Sequence, residues 1–93
     1  MRPVVVSPGA PVDPAWTPAR SPADVAELAA RGATPLVVLP AELDAALAAA
    51  AVHRWHGAAV FVTEHAEEVR LALDMTDSLA GRRPPALARR GLA

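Results

Sequence analysis

Glu64 and His65 stand side by side where an apolar run gives way to a helical pattern. A carboxylate next to an imidazole is a pair able to exchange protons with a substrate. The plainer reading is a solvated helix start, in which the helix dipole favours Glu64, and it is the one preferred: no catalytic residue is assigned. His53 and His56 lie three apart on a helical stretch, and Glu64 could join them. Two histidines without a strong third ligand make a poor zinc signature, so no metal ligand is assigned. Ser7 has no visible base and no Gly-x-Ser-x-Gly setting; a turn-capping role suits it better than that of a nucleophile. Trp16 sits among prolines, where it could stack on a flat ligand or cover the core. Cover is the preferred role.

The elements that must hold these residues follow from punctuation and periodicity. Val4-Val5-Val6 is the centre of a first strand over Pro3 to Ser7, stopped by Ser7-Pro8-Gly9. Pro8, Gly9, Pro11, Pro14 and Pro18 mark a long, stiff loop over residues 8–21. Ser21 caps a short helix with Pro22 at its first position, Val25, Leu28 and Ala29 on its buried face, and Gly32 at its end. Pro35 to Leu39 is a second strand. A helix follows from Ala41 to about His56, with Leu43, Ala46, Leu47 and Ala50 on one face. Gly57 ends it, and Ala58 to Val62 reads as a third, fully buried strand. Thr63 is placed to cap the last helix, whose stripe is Val69, Ala72, Leu73, Thr76, Leu79 and Ala80, with Asp74 and Asp77 largely off it. Gly81 closes that helix.

Strand–helix alternation predicts an α/β fold: three βα units on a short parallel sheet, resembling a segment of a TIM-type barrel. One domain over residues 1–81 and an arginine- and proline-rich tail over 82–93 are expected. The C-terminal ends of the strands would then share one edge, where α/β proteins bind ligands. Ser7, Gly9, Trp16, Thr63, Glu64 and His65 are the ligand-binding candidates on that ground. The 93 residues carry 10 acidic groups against 9 basic ones, all arginine, so net charge indicates no nucleic acid. The four tail arginines read as a solvated end. Cysteine is absent, which excludes thiolate and disulfide chemistry. No apolar run reaches membrane-spanning length, and no signal peptide is evident, so a cytoplasmic protein is expected.

The motifs resemble the C-terminal part of the pterin-binding barrel of dihydropteroate synthases. Val4-Val5-Val6-Ser7-Pro8-Gly9 stands where that family has a strand ending in Asp-Pro-Gly. Pro35 to Leu39, leading to Ala41-Glu42-Leu43, is similar to Pro-Val-Leu-Val-Gly leading to Ser-Arg-Lys. Gly57 to His65, followed by Glu67 to Leu73, is similar to the last strand, which ends in Arg-Val-His-Asp, and its closing helix. The likeness spans nearly the whole chain and about three of the eight units of a barrel. It implies a pterin-like ligand and no further cofactor. Yet Ser7, Leu43, Val62 and Glu64 occupy the positions of the family's charged ligands. The expectation is therefore a non-catalytic fragment that binds a partner or a small ligand. The alternative is a residual pterin binder or dihydropteroate synthase whose site another chain completes. Three units cannot close a barrel, and Leu47, Val52, Trp55, Leu71 and Met75 add apolar groups beyond the main helix stripes. In the family the closing helices also form the dimer interface. These five residues are thus expected to meet a second copy or a longer barrel protein.

Overall fold

A computed structural model describes residues 2–81. The expected 82–93 tail lies outside the described residues. The order is β1 (Val4–Val6), β2 (Trp16–Pro18), α1 (Pro22–Ala30), β3 (Thr34–Val38), α2 (Leu43–His56), β4 (Val60–Val62) and α3 (Ala66–Leu79). The α/β class and a count of three βα units stand, but the first unit is β2-α1 and not one opened by Val4-Val5-Val6, because that strand leads into β2 before any helix. The sheet has four parallel strands rather than three, in the order β1-β4-β3-β2. The added strand is β2, taken from the proline-rich segment. It lies at one edge and pairs on one side only, which is where a strand can carry Pro18. The successive units β2, β3 and β4 lie side by side, as in a barrel segment.

Register explains which residues form the core. Val5, Phe61 and Val37 make one row across the sheet and point to the same face. Phe61 and Val37 are fully enclosed there with Val25 of α1, Ala46 and Ala50 of α2, and Val69 and Leu73 of α3. Residues of the other parity, Val4, Val60 and Leu36, point to the opposite face. The nine-residue link from β1 to β2 must pass β4 and β3, and a right-handed crossover carries it over that opposite face. Leu36 and Val60 are buried there, whereas Val38 is exposed.

Helix ends are set by local chemistry. The Ser21 hydroxyl accepts from Asp24 N–H at 3.1 Å, with Pro22 at the start of α1. The Glu42 carboxylate accepts from Asp44 N–H at 2.8 Å and Ala45 N–H at 3.0 Å, which makes it the cap of α2. His65, not Thr63, is the cap residue of α3; Thr63 Oγ1 accepts from His65 N–H instead, one step too early to reach the first turn. Gly57 ends α2 at φ 113°, and a Cβ there would meet the Ala29 Cβ at 2.9 Å. Two expectations for α3 are corrected. Leu79 is exposed, because it lies on the open groove beside Trp55 of α2, and Asp77 of the same turn is buried. Among the described residues no helix is long and apolar enough to cross a membrane.

Candidate functional site

The C-terminal edge of the sheet gathers most of the residues singled out by type. Val6, Val62 and Val38 form its last row. Beyond it, Thr63 N–H donates to Val6 O and Leu39 N–H donates to Val62 O, each at 3.0 Å. Ser7, Thr63 and Leu39 are thereby held side by side. Gly9 lies in the turn that follows, closed by Ala10 N–H donating to Ser7 O, at φ 82°. Glu64 projects from this edge and is exposed. Trp16 is not with them. Its register partner is Thr34, at the start of β3, so it lies at the opposite end of the sheet, half-buried.

Three polar side chains of this edge, Glu42, Thr63 and His65, are committed to the backbone, whereas Glu64 and Ser7 are exposed. The His65 ring lies with Nε2 at 2.7 Å from Ala41 O, which requires a proton on Nε2. Thr63 Oγ1 holds His65 N–H at 3.0 Å. Backbone N–H groups of Asp44 and then Ala45, with the nearby His65 adding to them, hold the Glu42 carboxyl below the usual carboxylate range. These bonds fix the turn that leads from β4 into α3 and the start of α2. The two histidines of α2 part ways. His56 is exposed and His53 half-buried, its Nδ1 enclosed without a partner among the described residues. Among the described residues no three His, Cys, Asp or Glu side chains come together to hold a metal.

The α2–α3 pair carries a feature that the types alone did not suggest. Arg54 and Asp77 are 7% and 5% exposed and face each other across the two helices. Arg54 Nε donates to Asp77 Oδ1 at 2.6 Å, one Nη to Oδ2 at 3.1 Å, and the other Nη to Ala58 O at 2.8 Å. Spacing could have placed each residue on the inward face of its own helix, though not their meeting. Arg54 continues Ala46 and Ala50 at four-residue steps, and Asp77 continues Val69 and Leu73 in the same way.

Outside that lock the same helices form an apolar groove of about 310 Å³, lined by Val52, Trp55 and His56 of α2 and Thr76 and Leu79 of α3. Met75 and Leu71, one and two turns before Leu79, are 67% and 70% exposed. Of the five residues expected at an interface, Val52, Trp55, Leu71 and Met75 are exposed, whereas Leu47 packs against the core. Comparison with family models, with curated proteins and with solved structures found no match.

Proposed function

We propose that this chain is a non-catalytic binding module, related to the pterin-binding barrels its motifs resemble, and that it works by seating a protein partner on its α2–α3 face. One observation carries the reading: Val52, Trp55, Met75 and Leu79 leave a large apolar surface in water around a groove between two helices. Exposed patches of this kind mark interaction sites, and a tryptophan within one is a typical anchor. The C-terminal edge supports the non-catalytic half, because His65, Thr63 and Glu42 are engaged with the backbone. A cytoplasmic setting belongs to the same proposal.

The first partner to test is a second copy, and the next is a longer barrel protein recovered with the chain from its native cell. Sedimentation at micromolar concentration is expected to show a dimer, and Trp55→Glu is expected to return it to a monomer with an unchanged circular dichroism spectrum. A monomeric wild-type chain that also recovers no barrel protein would overturn the proposal. No turnover of pterin diphosphate with aminobenzoate is expected from the chain alone. A saturable thermal shift on adding a pterin with diphosphate would favour the alternative, a residual pterin site completed by another chain.

A further inference from the structure

The N-terminal end of β1 holds a second feature, away from both the C-terminal edge and the α2–α3 groove. Arg2, just before β1, and Arg70, on α3, line one cavity of about 450 Å³. Pro3, Val4, Val5 and Leu73 give it apolar walls, and Asp74 completes the lining. Its volume falls within the roughly 300–1,000 Å³ of small-molecule sites.

The charges are what make the cavity selective. Neither the Arg2 nor the Arg70 side chain has an ion pair or a hydrogen bond among the described residues, in contrast to Arg31 with Glu27 and Arg54 with Asp77. A guanidinium does not lose its proton in a protein. Two of them on the wall of one concave, partly apolar space raise the local potential toward anions. Their planar forks match the oxygens of a carboxylate or a phosphate. Asp74 already has an interaction of its own, and its carboxylate in the wall disfavours a ligand charged all over. The ligand that fits has one anionic end and an apolar body. We propose that the cavity between β1 and α3 binds a small organic oxyanion of that kind, a carboxylate or a phosphate monoester, through Arg2 and Arg70.

Amide chemical shifts of the full-length chain can be followed while benzoate, phenyl phosphate or inorganic phosphate is added. Saturable shifts at residues 2, 4, 5 and 70–74 are expected with at least one organic anion. The tighter of benzoate and phenyl phosphate identifies the anionic group, and inorganic phosphate should bind more weakly than phenyl phosphate. Arg70→Gln and Arg2→Gln should each weaken binding about tenfold or more, and Arg20→Gln, an exposed arginine outside the cavity, should leave it unchanged. The proposal is overturned by the absence of saturation with both organic anions, by shifts centred elsewhere, or by undiminished binding to Arg70→Gln. It is equally overturned if inorganic phosphate binds as well as phenyl phosphate, since the apolar walls would then contribute nothing.

Discussion

Arg54 and Asp77 hold opposite charges at positions where their helices otherwise present alanine, valine and leucine to the interior. The bidentate geometry and the third bond to Ala58 O compensate the loss of water around both groups. Removing one partner strands the other. Asp77→Ala is expected to cost about 3–5 kcal/mol, a large share of the roughly 5–15 kcal/mol that holds a domain folded, and urea unfolding would measure it. Replacing both groups, as Arg54→Met with Asp77→Leu, should be much less damaging than either change alone. His53 gives a pH dependence. Burial, and then the charge of His56, hold its pKa below 6.5. As pH falls below 6.5 the unfolded chain takes up a proton first, so stability is lost until pH passes the folded value and then levels off. The melting temperature should be lower at pH 5.5 than at pH 7.5, and His53→Gln should flatten that difference. At this scale the sequence was only partly legible. Glu64, His65 and Ser7 fall where their neighbours in the chain imply. Asp77 was misread because a carboxylate on a helix is solvated unless a partner from another element meets it, and the meeting of α2 with α3 is not written in either helix alone.

The helices and strands are held at joints that tolerate little change. At Gly57 the chain leaves α2 in a left-handed conformation and passes against Ala29 of α1. Gly57→Ala faces both a backbone and a contact penalty and should destabilise by roughly 1–3 kcal/mol, read as a lower denaturation midpoint. Ser21→Ala removes the bond to Asp24 N–H and should cost about 1 kcal/mol. Most of the elements were legible, because β3 and β4 are apolar runs bounded by Gly or Pro, and α1 to α3 carry helical stripes. Strand β2 was not. Trp16-Thr17-Pro18 is three residues among prolines, and it becomes a strand only because Thr34 to Leu36 offers it an edge. The same pairing takes Trp16 to the far end of the sheet from the ligand candidates.

Taken whole, the molecule is layered unevenly, with three helices on one face of the sheet and a single link crossing the other. Hydrogen exchange should follow that asymmetry: slowest at Val60 to Val62, paired on both sides, and fastest over residues 7–15, which form no ladder. An exchange map with the link as protected as β4 would contradict this layering. The strand order has one more consequence. Starting the count at β2, the elements run β2-α1-β3-α2-β4-α3, and the place beside β4, against which α3 packs, is filled by β1. The first strand thus occupies the position that a seventh element, following α3, would take in an uninterrupted winding. Among the described residues the β1-to-β2 link is the only step out of sequence; the strand order is the one a regular array would have if its last strand were moved to the front of the chain. A rearranged gene that opens the chain between Pro8 and Asp13 and joins its present ends should therefore rebuild the same sheet, which an unchanged circular dichroism spectrum would check.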